Sequence, residues 1–195
     1  MASRSLRIGV AHHFGWAVVV TADADHEVVD RRRIELVEPG VANAPIHHEG
    51  AGLDDVAAAA LVAEVRASAV RSAAEELDRL AADVSGQVVS LSLRAWPDDF
   101  PTDITTMRRT PYEAQADSVM YRQVIAELAE ANGWAVHLFD ATTIEAAAVD
   151  LAGGGDVLTR PRARIGPPWN KDHRIAFAAT IVASASSTRE GSDRG

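Results

Sequence analysis

Ile8–Val20 reads IGVAHHFGWAVVV. Two β-rich runs, Leu6–Ala11 and Trp16–Thr21, flank His12-His13-Phe14-Gly15. A linker that short, with a glycine in it, predicts a β-hairpin. It also puts two histidines at the turn, where they are either simple polar turn residues or the start of a site.

Working outward, His26–Val37 is a third run, entered through the turn residues Asp23-Ala24-Asp25. Its polar middle, Asp30 to Arg33, predicts an exposed strand near a sheet edge. Three runs joined by short turns make an antiparallel meander. Glu38–Gly52 is a loop broken by Pro39-Gly40, Pro45, Gly50 and Gly52. Leu53–Asp83 follows as an Ala-rich helix, with Val56, Ala60, Ala63, Val70, Ala74, Leu77 and Leu80 or Ala81 as its apolar stripe. Asp54 or Asp55 suits its N-cap, and Ser85-Gly86 stops it.

Gln87–Leu93 is apolar enough for a buried strand. A second helix runs from Pro111 or Ala116 to Asn132, a strand over Trp134–Phe139, and a third helix over Ala141–Leu151. RPRARIGPPW, Arg160–Trp169, reads as an extended Pro/Arg segment. Asp172–Ser184 is a last helix, and 186–195 a disordered polar tail. The expected architecture is one α/β domain over 1–185: three antiparallel strands, then helix, strand, helix, strand, helix, on a mixed sheet.

Composition narrows the function classes. At 195 residues and 47% hydrophobic the chain can bury a sizeable single core. Its net charge of -9 argues against bulk capture of nucleic acid, though not against a local basic groove. The absence of cysteine excludes disulfides, thiolate zinc sites and cysteine nucleophiles. MASRSLRIGV has no long apolar stretch, and no run reaches the roughly 18 residues of a membrane span. A soluble cytoplasmic protein is expected.

The element order is similar to the ribonuclease H-like superfold, and two short stretches resemble its Holliday-junction resolvase branch. Ile8-Gly9-Val10 followed by Gly15-Trp16-Ala17 resembles that branch's first hairpin, and Lys171-Asp172-His173-Arg174-Ile175-Ala176 the start of its last helix. The resemblance implies a divalent-metal nuclease site, but Ala11 stands where active members carry an aspartate. Leu93-Arg94-Ala95-Trp96 stands near where they carry a second acid. A two-metal site needs several oxygen ligands on ions about 3.5–4 Å apart. The resemblance therefore implies a degenerate acid set.

Candidate residues follow from both readings. For catalysis they are His12, His13, Asp98, Asp140 and Asp172. His12-His13 can bind metal or act as a base near neutral pH, Asp98 and Asp140 lie near strand ends, and Asp172 otherwise only caps a helix. For ligand binding they are Arg94 and Trp96 after the fourth strand, Arg160, Arg162 and Arg164, and Lys171 and His173. In an extended segment the three alternating arginines share one face and can clamp phosphate, unless they merely pair with the chain's acids. His47-His48-Glu49 reads as a solvated loop, and Asp117-Ser118 as a cap for the second helix.

The first functional expectation is a degenerate ribonuclease H-like module that binds a nucleic-acid strand, nucleotide or other phosphate ligand. The second is a divalent-metal nuclease, using Mg or Mn, with a rearranged His/Asp site. The third is a protein that self-associates through its Ala-rich helices. No metal ligand set is fixed by the sequence.

Overall fold

The computed structural model describes the backbone of residues 4–192 and the side chains of residues 4–185. β1 (Ser5–His13) and β2 (Trp16–Asp23) form the hairpin, with Leu6 facing Asp23 at one end and His13 facing Trp16 at the other. The connection is only Phe14-Gly15, and Gly15 takes a φ of 77° that a side chain would strain. This corrects the expected turn. The histidines are the last two residues of β1, so they point to opposite faces of the sheet.

β3 (Val28–Glu35) pairs antiparallel with β2 and is the outer strand, as its polar middle predicts. α1 (Asp55–Asp83) starts at Asp54, whose carboxylate accepts from the Ala57 N–H at 2.8 Å. Its buried stripe is Ala58, Val65, Ser68, Ala69, Ala73, Leu77 and Leu80. The expected stripe shares only its last two positions, and Val56 is 82% exposed. Where most residues on every face are alanine, hydrophobic periodicity cannot fix the helix's rotation.

β4 (Gln87–Arg94) pairs parallel with β1. A single-turn α2 (Ile104–Met107) precedes α3 (Glu113–Ala131), and β5 (Ala135–Phe139) pairs parallel with β4. α4 (Ile144–Ala152), α5 (Arg160–Ile165) and α6 (Lys171–Ser192) complete the chain. α5 replaces the expected extended segment. α6 continues to Ser192, past the predicted end at Ser184, and residues 193–195 of the expected tail lie outside the described residues.

The five-stranded mixed sheet has the order β3-β2-β1-β4-β5. One face packs Leu6, Ile8 and Val10 against Val65, Ala69 and Leu77 of α1 and Val124 and Ile125 of α3. The other packs Val20 and Ala22 against Ala176, Phe177 and Ile181 of α6, with Ile144 and Ala148 of α4. Gly9 sets how close α6 lies, since a Cβ there would fall 1.8 Å from the Ala176 carbonyl oxygen. Among the described residues, no helix is long and apolar enough to cross a membrane.

Candidate functional site

The C-terminal ends of β1, β4 and β5 point the same way, and α6 begins beside them, leaving a cleft of about 450 Å³. α/β sheets generally hold ligands at such strand ends. Val10, Ala11, Phe139, Ala141 and Ile175 give its apolar wall; His12, His13, Arg94, Thr142, Lys171 and Asp172 its polar groups.

The contact of Gly9 with Ala176 brings the first turn of α6 against the end of β1. Asn170 serves that turn as its cap, its Oδ1 accepting from the His173 N–H at 3.2 Å. Asp172 is therefore free to reach His13, with Oδ2 3.1 Å from Nε2. Cross-strand pairing lays the His13 ring on Trp16, centroids 4.1 Å apart and planes 12° from parallel. Arg33 of β3 reaches the same indole from the other neighbouring strand, its Cζ 4.3 Å from the ring centroid.

His12 turns to the opposite face. Burial, and then the charges of Arg122, His13 and Arg94, push its imidazole down to about 3, so it is neutral near pH 7. Arg122 comes from α3 and is buried, with burial first and Arg94 second lowering it to about 10. It still holds the end of β4 in place, donating to the Ala95 carbonyl at 2.6 Å and the Arg94 carbonyl at 3.3 Å. The Arg94 side chain itself has no hydrogen bond or ion pair among the described residues, and neither has Lys171. Lys171 is the chain's one lysine.

Asp140 stands at the rim, turned into its own loop. Its Oδ1 accepts from the Thr142 N–H at 2.8 Å and hydroxyl at 2.7 Å, and those bonds, with the Arg94 charge, hold it below the usual carboxylate range. Among the described residues, Asp172 is thus the only carboxylate lining the cleft. Among the described residues no group of three or more His, Asp or Glu is arranged to hold a metal ion. The side chains present do not fit a pair of divalent ions, which needs several oxygen ligands.

No family model matches the chain, and no curated protein does. Among solved structures it is similar to Thermus thermophilus RuvC in complex with a Holliday junction substrate. That match has a TM-score of 0.54 and 10% identity, covering 94% of this chain and 96% of that one. It is also similar to a Thermus thermophilus RuvC structure, with a TM-score of 0.51, 9% identity and the same coverage. The fold is ribonuclease H-like.

Within this ribonuclease H-like frame the cleft gathers His12, His13, Arg94, Lys171 and Asp172, with Asp140 at its edge. The other candidates lie elsewhere. Asp98 is exposed in the turn after β4 and does not line the cleft. Trp96 is half-buried against the α1/α3 core, with Arg122 6.0 Å from its ring centre. His173 is buried beside Trp169 and bonded to Asn170.

Arg160, Arg162 and Arg164 lie on helix α5, where alternate residues diverge by about 200° instead of sharing a face. Arg164 pairs with Glu27 at 3.0 Å and donates to the Val28 carbonyl. In the 38–52 loop, His47 is paired with Glu113. Asp117 is no cap: buried inside α3, it accepts from the Ile46 and His47 N–H groups at 2.9 Å each. Sequence reasoning missed Trp16, Arg33 and Arg122 as parts of the site. Only strand register reveals the first two, and a mid-helix arginine carries no mark of burial.

Proposed function

We propose that this ribonuclease H-like domain binds a phosphate-bearing ligand, a nucleic-acid strand or nucleotide, in the cleft and does not cut it by two-metal chemistry. The observation that carries this reading is the exchange of charge at the strand ends. Ala11 offers no carboxylate on β1, and Arg94 ends β4 with a guanidinium instead of an acid. Together with Lys171 it gives two cations facing one cavity with no partner among the described residues. Two cations beside an apolar wall suit an anion carried on an organic body, and guanidinium groups take phosphate oxygens two at a time.

Thermal unfolding at low salt tests this. Inorganic phosphate and a single-stranded oligonucleotide should each raise the melting temperature of the parent. The rise should be lost in Arg94→Ala and in Lys171→Ala. A parent that responds to neither probe sinks the proposal.

One observation favours the alternative of a divalent-metal nuclease with rearranged His and Asp ligands: the 3.1 Å contact of His13 with Asp172. An assay with Mg²⁺ or Mn²⁺ comparing Asp172→Ala with the parent separates the two. Equal rates reject the nuclease.

A further inference from the structure

Two cations without a partner among the described residues would give an affinity for phosphate but leave the row of rings beside the cleft without a use. His13 is held on three sides. Its backbone pairs with Trp16, one ring face lies on the indole at 4.1 Å, and its Nε2 meets Asp172 at 3.1 Å. Arg33 backs the indole in turn, 4.3 Å from its centroid. The His13 side chain is nevertheless 42% exposed and lines the cavity, so its second face stays open. The result is a flat ring, fixed in orientation before any ligand arrives, beside two unpaired cations.

We propose that the cleft takes one unpaired nucleotide, its base stacked on the open face of His13 and its phosphate held by Arg94 and Lys171. The inference rests on the phosphate-binding reading above and narrows it to a substrate class. Three further points support it. A cavity of about 450 Å³ falls in the range of small-ligand sites and is too small for a helix of nucleic acid. The charge is also short of what a duplex requires. Proteins that grip double helices through the backbone commonly neutralise about 6–10 phosphates, whereas this cleft offers Arg94 and Lys171 on a chain of net charge -9. Lastly, a base inside a duplex has both faces covered by its neighbours. Only a free nucleotide, a strand end or a splayed base can present one to an aromatic ring.

Calorimetric titration at low salt tests the inference with inorganic phosphate, ribose 5-phosphate, adenosine 5′-monophosphate, a single-stranded oligonucleotide and a blunt duplex of equal length. The nucleotide should bind about tenfold or more tighter than ribose 5-phosphate, the gain that one stacked base supplies. His13→Ala should bring that ratio close to one. His13→Phe, which keeps a ring but loses the Asp172 contact, should retain it. For the single strand, the slope of log affinity against log salt should be about -1.4, the value for two phosphates neutralised.

Equal affinity for the nucleotide and ribose 5-phosphate, with phosphate still bound, overturns the base platform and leaves the phosphate reading standing. A ratio unchanged in His13→Ala, or lost in His13→Phe, overturns it as well. So does a duplex that binds more tightly than the strand. No binding of any probe removes the phosphate reading itself.

Discussion

Every arginine of β3 is occupied. Arg31 donates to the carbonyls of Ile165, Gly166, Pro167 and Pro168, strapping the α5–α6 connection to the sheet edge. Arg32 pairs with Asp30 at 2.8 Å and Asp83 at 2.9 Å, and Arg33 with Glu35 at 2.9 Å. Across the sheet, Arg94 and Lys171 line a cavity and bond to nothing described. Both are exposed, so leaving them unpaired costs the fold little. The same chemistry is spent on structure at the edge strand and left available at the strand ends. The difference lies in whether an oxygen of the chain itself comes within reach.

The harshest way to break the contrast is to separate the two halves of the cleft. Gly9→Val puts side-chain atoms where the Ala176 carbonyl stands, and a backbone group cannot rotate aside. The expected loss is about 3 kcal/mol or more in urea unfolding, with the phosphate response abolished. A variant of parental stability contradicts the packing.

Two effects of middle size follow. Arg31→Ala removes the donor to four carbonyls and should cost about 2 kcal/mol, read as a lower urea midpoint, while phosphate binding persists. His12 makes the stability of the fold pH-dependent. The folded chain holds its imidazole at about 3, well below the ordinary 6.5 at which the unfolded chain takes up the proton. Its contribution is thus complete above about pH 6.5 and declines as pH falls from there towards 3. Between pH 7 and pH 5 the decline is about 2 kcal/mol, and His12→Gln should lessen the acid loss by that amount. Parallel stability curves for parent and variant reject this.

The smallest effect sharpens the contrast most. Arg94→Ala should shift stability by no more than about 0.5 kcal/mol, because the side chain holds nothing together. A loss as large as that of Arg31→Ala would mean the two regions do not differ.

The hairpin was legible in the sequence because apolar pairs and one glycine leave a strand few alternatives, and β3 because its arginines exclude a buried position. α5 was not. Its prolines and arginines look extended, yet Pro161 sits at the second position of the helix, where its missing N–H costs nothing. The rotation of α1 was hidden by its alanines. At the site, the resemblance put Asp172 at the start of the last helix and the histidines after the first strand. Which histidine it meets is visible only in the structure, since nothing local joins residues so far apart. Nothing in the sequence marked Phe139 and Ile175 as part of the cleft, because an apolar residue at a strand or helix end does not announce that it walls a cavity. Arg160, Arg162 and Arg164 misled through a spacing that means one thing in a strand and another in a helix.

The seating of α6 on Gly9 has a temporal side. His13 and Asp172 lie 159 positions apart, so β1 is synthesised long before the helix that completes its cleft. That closure spans nearly the whole chain and belongs to the slow, entropy-limited contacts of folding. A ligand touching both β1 and α6 binds only chains that have finished this step. Its binding energy then holds β1 and α6 together.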